Sequence, residues 1–471
     1  VPSPFFFTHA SGTGHLLALG KNSRKQLLYW HQQLGPIFGL RLGVKPWIMI
    51  GSADIAYEIL HKERIHTSGK PYYRLLSEFY SCEEKGIVFS QPTAKWRQAR
   101  AAAHLVLSPK KLENELGDLL AREADELLDI LMNNDDQGID PTDHLSRSSV
   151  NFILLTCFNK RTTSIHDPLF TKLMDLLHSC ITHSDIIKYH MGAFIPILSD
   201  WNQWTGTEQA FADLLIHQRN PFYMQLIQEA LMDEKESLAK VLMKREKLEP
   251  DYVIATLNDM VIAGSDTVKV TLGWMFLILC TMPEIQEKIQ QELDVFKAKN
   301  DRLPVFSERD QVPYLIAVQK ECLRYRPTTP CGAPHLVEQD VEWRGNIIPK
   351  GTTVVANMIA IHSNPETYPE PHLFKPERFM EKLEPMSVLA TKKLGERDHF
   401  NFGWGRRVCP GIALAEIQLF NVLVRIFSQC TIIPPPSNNK PIDLDIYFKG
   451  GIGAIAAPPR HRLCFVTRSK Y

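Results

Sequence analysis

A net charge is the first thing this sequence lacks: 53 lysines and arginines offset 53 aspartates and glutamates over 471 residues. A balanced chain gives no electrostatic footprint for nucleic acid or any other strongly charged partner. Clustered cysteines are missing as well. The nine cysteines are dispersed, and no two stand in a Cys-x-x-Cys or zinc-knuckle spacing. That excludes a disulfide framework and reads as a set of reduced thiols. No Asn-x-Ser/Thr sequon occurs, which argues against the secretory lumen. Internal repeats and low-complexity tracts are absent too. Long apolar runs are also wanting: the best, Leu272 to Cys280, is half of the roughly 18 residues that cross a bilayer, and reads as part of a buried helix. The chain opens VPSPFFF without an initiator Met, so a targeting or anchoring segment is expected to have preceded it.

What is present is helical periodicity. AYEILHKE, WRQARAAAHLVLS, KKLENELGDLLAREADELLDILMNN, the stretch from LTCFN to CITHS, YVIATLNDMVIAGSDTVKVTLGWMFLILC and MPEIQEKIQQELDVFKAK all carry amphipathic or apolar helix patterns. Breakers lie near 133–143, 300–313 and 433–443. Strands are few: IFGLRLG and PWIMIGS form a hairpin-like pair, with VEWRGN, TTVVANMIAI and HRLCFVT later. The expected fold is mainly α with small β-sheets, in a single domain over residues 1–471.

One stretch, FNFGWGRRVCPGIALAEIQ, concentrates unusual chemistry around Cys409. Pro410 suits a first helical turn, and IALAEIQLFNVLVRIFSQ continues with helical spacing. Cys409 is therefore expected at a helix amino terminus, where dipole and free N–H groups favour a thiolate. Gly403, Gly405 and Gly411 would let the backbone approach a flat group. A small core cysteine is the plainer reading, and a nucleophile is a third, although no histidine stands nearby to activate it. Neither accounts for three glycines and two arginines beside one thiol.

The segment Phe402 to Gly411 resembles the haem-binding loop of the cytochrome P-450 superfamily, Phe-x-x-Gly-x-Arg-x-Cys-x-Gly, at every specified position. Further motifs follow in the family's order over nearly the whole chain. The resemblance implies a cytochrome P-450 fold, haem b held by Cys409 as metal ligand, and Phe402, Gly405 and Gly411 as parts of its loop. It implies that Trp96, Arg100, His335 and Arg407 hold the haem propionates, and that Glu321, Arg324 and Arg378 form a buried network supporting the loop. Glu321 and Arg324, three apart, share a helix face. In AGSDT, Gly264 and its small neighbours would open the helix for a ligand; by resemblance Thr267 orients dioxygen and Asp266 relays protons. The pocket candidates are Tyr72, Tyr73, Phe79, Tyr80, Met260, Ala263, Cys331, Ala333 and Ile452. GGIGAIAA near Ile452 echoes a dinucleotide fingerprint but leads into PPR, so it is better read as a turn closing the substrate pocket.

By the same resemblance the activity is insertion of one oxygen atom of dioxygen into a C–H bond of a lipophilic small molecule, such as a steroid, terpenoid or polyketide. Electrons would come from NADPH through a separate flavoprotein reductase, or from a cytochrome b-type donor. Arg97, Lys110, Lys111, Lys392, Lys393, Arg397 and Arg406 would form the basic docking face. PERF and Pro410 resemble the microsomal eukaryotic branch, with CPGIALAEIQLF resembling fungal members. The expected location is the cytoplasmic face of the endoplasmic reticulum membrane, as a monomer without nucleic-acid partners. A reductase-independent haem-thiolate isomerase or dehydratase, and a non-enzymatic haem sensor, are the alternatives; the acid–Thr pair speaks for oxygenation.

Overall fold

The computed structural model describes residues 13–133, 135–184, 186–436, 441–451 and 455–468. It is mainly helical with small sheets. Strand β1 (Ile37–Leu42) and strand β2 (Lys45–Ile50) pair antiparallel as a hairpin. The two-residue strand β3 (His335–Leu336) and the hairpin of β4 (Val341–Trp343) with β5 (Asn346–Ile348) follow much later in the chain. Strand β6 (Thr353–Ala356) then completes a four-stranded sheet in the order β1-β2-β6-β3. It lies parallel to β2 and antiparallel to β3. Strand β7 (Cys430–Ile433) pairs antiparallel with β8 (Cys464–Thr467).

The expected strand TTVVANMIAI is only half strand. Asn357 ends β6 by accepting from the Ala360 N–H, which starts the short helix Met358–His362. The helical reading from LTCFN to CITHS also divides. A helix over Thr142–Phe158 stops at Asn159, which adopts a left-handed φ of 56°. The next, Pro168–His183, begins where the Asp167 carboxylate accepts from Leu169 N at 2.9 Å.

The helix Pro250–Cys280, called the long helix below, is apolar on every side and buried along most of its length. That is the composition of a core helix. This helix and Ile412–Gln429 are both long and apolar enough to cross a membrane, with mean hydropathies of 1.4 and 1.3. Charge-poor windows that include a few polar residues thus reach a length that a count of consecutive apolar residues does not. Both are instead packed inside the protein, against the helices Thr142–Phe158, Pro109–Met132 and Pro283–Asn300.

Gly264 does not open the long helix, which runs unbroken through AGSDT. A Cβ there would lie 3.0 Å from Ile153 Cγ1, so the glycine permits close contact with the Thr142–Phe158 helix. A second apolar cluster joins the four-stranded sheet to the cysteine loop through Ile48, Ile59, Leu60, Phe400 and Trp404. A third packs the sheet's Phe38, Leu40 and Trp47 against Tyr73, Tyr80, Phe194 and Phe211.

The segment before the cysteine loop is fixed by a buried acid. Glu416, on the helix Ile412–Gln429, accepts from Met386 N at 2.7 Å and so caps the short helix Met386–Leu389. Burial pushes its pKa up to about 7. A carboxyl whose folded pKa is raised favours folding most when protonated, and that contribution is lost as pH rises through the folded pKa. The contribution of Glu416, read as the denaturation midpoint of the wild type minus that of Glu416→Gln, is therefore expected to fall between pH 5 and 8; a difference that does not change with pH in urea titrations would contradict this.

Candidate functional site

The cysteine loop is shaped by tight turns. Gly405 has a φ of 54°, and a Cβ there would lie 2.3 Å from the Leu60 carbonyl oxygen, so the loop can sit on that carbonyl only with glycine. Cys409 N donates to the Phe402 carbonyl at 2.9 Å, which closes the loop. The following helix begins at Ile412 with Gly411 as its cap, so Pro410 precedes the helix instead of occupying its first turn. The Gly411 N–H donates to Cys409 Sγ at 3.3 Å.

Burial pushes the Cys409 thiol above its ordinary pKa, and the Gly411 N–H and the nearby Arg100 oppose that rise only in part. The helix terminus alone therefore does not make a thiolate here. A metal bound to the sulfur would, because a coordinating thiol is deprotonated outright. Among the described residues no group of three His, Cys, Asp or Glu side chains could hold a metal. A metal on Cys409 would take its other ligands from outside this set of side chains, as a bound macrocycle would supply them.

An open cavity of about 1000 Å³, part of it continuous with solvent, lies beside Cys409. Apolar Leu60, Val268, Leu323, Met358, Phe402 and Leu419 line it. Thr267, Ala333, His335 and Arg407 line it as well. Cations gather near it. Arg407 donates to the carbonyls of Ser68, Ile87 and Ser90, at 2.8, 3.2 and 2.7 Å. Arg100 donates to the Val408 carbonyl. Lys70, 7% exposed, donates to the Pro334 carbonyl at 2.9 Å. Burial, then Arg100, lowers Arg407 to about 9. Burial, followed by Arg407 and Arg100, holds Lys70 well below its usual value.

None of these three cations forms an ion pair among the described residues. Largely desolvated, mutually repelling charges of one sign, Lys70 buried and the two arginines half-buried, fit an anionic ligand that completes the site. A flat macrocycle carrying two carboxylates matches the apolar slot, the single sulfur and the cations. The residues present fit haem.

Trp96 differs from its expected part. Its indole N–H donates to the Ile87 carbonyl at 3.1 Å, and its ring instead supports the guanidiniums of Arg100 and Arg407 at 5.1 and 4.5 Å. His335 donates from Nδ1–H to the Thr67 carbonyl, 2.8 Å away, and burial lowers its pKa to about 3. It is therefore neutral in this state, offering a dipole instead of a charge. Lys70 escaped the sequence reading, because nothing in TSGKPYY separates it from a solvated lysine.

On the long helix, Thr267 Oγ1 donates to the Ala263 carbonyl at 2.7 Å, and its lone pairs remain free to accept. Ala263 is exposed in the middle of this otherwise buried helix. Asp266 is paired with Lys269 one turn on.

The other pocket candidates divide. Ala333 lines the cavity. Tyr72 does not: it is half exposed, donates to Glu78, and lines a separate outer cleft with Arg74 and Tyr189. Tyr73, Phe79, Tyr80 and Cys331 belong to the third apolar cluster, and Met260 to the main core. Ile452 lies outside the described residues.

Behind the cavity, Arg324 grips Glu321 with two bonds of 2.7 Å, and Arg378 Nε reaches the same carboxylate at 3.3 Å. Arg324 also donates to the carbonyls of His362, Pro371 and Leu373. Lys375 N adds a bond of 2.8 Å to Glu321. The trio thus ties one helix to the loop 362–378. Glu321→Ala strands two arginines, one of them fully buried, and is expected to cost about 3–5 kcal/mol in urea denaturation. A loss within 1 kcal/mol, about the worth of an exposed pair, would contradict this account.

Comparison with known proteins agrees with the geometry. The family model described as Cytochrome P450 matches residues 4–465. The chain is 28% identical to Cytochrome P450 monooxygenase anuE of Penicillium roqueforti over 88% of its length and 86% of the relative's. It is also 28% identical to Cytochrome P450 2E1 of Mesocricetus auratus, over 95% of this chain and 90% of that one. The likeness is thus not confined to fungi. A zebrafish cytochrome P450 structure with abiraterone superposes with a TM-score of 0.76 and 26% identity, covering 95% of this chain and 100% of the other. The cysteine loop, the cavity beside it and a match along nearly the full length lead to one conclusion: the chain belongs to the cytochrome P450 family of monooxygenases.

Proposed function

We propose that this protein inserts one atom of dioxygen into a C–H bond of a lipophilic small molecule, with Cys409 as the residue that would hold the iron of haem b. The observation that carries the proposal is one apolar cavity lined by both Cys409 and Thr267, with unpaired, largely desolvated cations nearby. When bound, haem supplies dioxygen binding and oxygen-atom transfer, and a thiolate ligand favours O–O cleavage.

The remaining work falls to the chain. Cys409 would hold the metal through its sulfur, as a thiolate. Arg100, Arg407 and Lys70 would take the two propionates, with His335 beside them. Trp96 keeps the two guanidiniums stacked. The Glu321–Arg324–Arg378 network holds the segment that precedes the cysteine loop. Thr267 accepts a hydrogen bond at Oγ1 while its own O–H keeps donating to the Ala263 carbonyl. Asp266 carries protons toward Thr267 once its carboxylate turns away from Lys269. The apolar lining excludes water and selects a lipophilic substrate; steroids, terpenoids and polyketides are the candidate classes. Residues 1–471 act as one catalytic domain on this reading, associated with the endoplasmic reticulum membrane.

Electrons reach the site from NADPH through a separate flavoprotein reductase. The docking face is narrower than the sequence suggested. Arg397 is buried, 5% exposed, and donates to the Gly403 carbonyl. Lys111 and Lys392 are engaged by Glu236 and Glu384. Arg406 lies over the Trp96 ring at 5.9 Å. Arg97, Lys110 and Lys393 remain exposed for a partner.

Three measurements test this function. The reduced, carbon monoxide-bound holoprotein is expected to show the red-shifted Soret band of thiolate ligation, and Cys409→Ser to lose it; an unchanged spectrum in the variant overturns the assignment. Thr267→Ala is expected to keep the spectral response to a bound lipophile while product per NADPH drops about tenfold, the missing electrons appearing as hydrogen peroxide. Full coupling in that variant removes Thr267 from the mechanism. Raising the salt from 0.05 to about 0.5 M is expected to slow reduction by the reductase, because screening shortens the reach of the three exposed cations; a salt-independent rate contradicts the docking face.

A further inference from the structure

Asp259 sits on the long helix two turns before Thr267, buried at 2% exposure, and belongs to no catalytic motif. Its carboxylate has three donors. Tyr80 Oη gives one bond of 3.0 Å to Oδ1, while Ile87 N and Val88 N give bonds of 2.8 and 2.9 Å to Oδ2. The chain approaches so closely that a Cβ on Gly86, whose φ is 85°, would lie 2.7 Å from Oδ2. Tyr252 Oη adds a bond of 3.2 Å from the same helix to the Gly86 carbonyl.

The other face of this segment meets the cationic cradle. The Ile87 carbonyl accepts from Trp96 Nε1 at 3.1 Å and from Arg407 Nη1 at 3.2 Å. The Ile87 carbonyl and the Val88 N–H belong to one peptide unit. That unit therefore has a carboxylate on its N–H end and a guanidinium and an indole on its oxygen. In a dry interior such a chain is cooperative: the carboxylate polarises the peptide, and the carbonyl becomes a better acceptor for Arg407. The arrangement is an ion pair conducted through a peptide.

We infer that Asp259 is a positioning residue for the cofactor's carboxylates, acting on Arg407 and Trp96 through the Ile87–Val88 peptide. The inference rests on the haem reading of the Cys409 cavity. Without the carboxylate, the Ile87–Val88 unit loses its anchor, Arg407 and Trp96 lose a fixed acceptor, and the propionate cradle loosens. Cofactor retention and the order of residues 86–90 are coupled in this way, although Asp259 has no bond to Arg407 or Trp96 in the structure.

The test compares holoproteins. Haem transfer to excess apomyoglobin is timed for the wild type, Asp259→Asn and Tyr80→Phe, with amide exchange followed over residues 86–91. Asp259→Asn is expected to speed transfer about tenfold or more, the factor corresponding to one charge-assisted hydrogen bond, and to raise exchange in that segment. Tyr80→Phe keeps both N–H bonds to Asp259 and is expected to transfer at the wild-type rate. Transfer by Asp259→Asn within twofold of wild type overturns the inference, whatever the exchange shows. Equal acceleration by Tyr80→Phe also overturns it, since that marks general loosening. Should Asp259→Asn yield no holoprotein, Asp259→Glu takes its place, with a several-fold acceleration expected and an unchanged rate again contradictory. The reduced carbon monoxide spectrum separates the two readings: a wild type without the thiolate band sinks the haem-thiolate assignment, whereas a normal band with unchanged transfer sinks only the role of Asp259.

Discussion

Four ionisable side chains, the buried Lys70 and the half-buried Cys409, Arg100 and Arg407, gather near one cavity without an ion pair among the described residues. Burying charge without a partner is costly, and a protein normally avoids it by pairing the groups or neutralising them. Here the pKa values of the cations are depressed and that of the thiol is raised, the direction of neutralisation in each case. A ligand with a metal centre and two carboxylates reverses all four tendencies at once. Much of the surrounding structure serves to hold these four groups in place around the cavity.

Several layers share this task. The guanidiniums rest on the Trp96 ring and are fixed by backbone carbonyls from residues 68, 87, 90 and 408, so they do not need a carboxylate to stay in place. Those carbonyls are held in turn. The segment at 86–90 hangs from the long helix through Asp259 and Tyr252, and Lys70 is joined to Gln91 through mutual backbone and amide bonds of 3.1 Å. On the far side, Glu321 and its two arginines bind the loop 362–378, and the buried pair Lys320–Asp398 at 2.5 Å secures the segment just before the cysteine loop. Such pairs are poor sources of net stability but are costly to break, which suits a scaffold that must hold geometry.

How much of this could be read from the sequence depends on whether the information is local. The cysteine loop was legible because its glycines, arginines and thiol are contiguous, and Glu321 and Arg324 because three residues bring them onto one helix face. The long helix was legible from its apolar pattern, and the β1–β2 hairpin from its alternation. Lys70, Asp259 and Arg397 were not, because each is a charged residue whose burial is decided by segments far away in the chain. The aromatic cluster at 72–80 misled for a similar reason. Tyr73 and Tyr80 pack inward against the sheet while Tyr72 faces outward; Tyr72 and Tyr73 lie in an irregular stretch and Tyr80 ends the π-helical Leu75–Tyr80, and neither leaves a periodic mark. Gly264 was assigned to the ligand, whereas its small size serves the contact with Ile153. Strand β3 has only two residues, and β7 follows the helix Ile412–Gln429 without a break, so neither registers as a separate alternating run.

The central claim is that the sulfur of Cys409 is bound to iron. X-ray absorption at the iron edge of the purified, haem-loaded protein measures this bond directly, without dependence on turnover or substrate. The account predicts one sulfur scatterer in the first coordination shell beside the porphyrin nitrogens, absent in Cys409→Ser. A shell of nitrogen and oxygen alone in the wild type would contradict it.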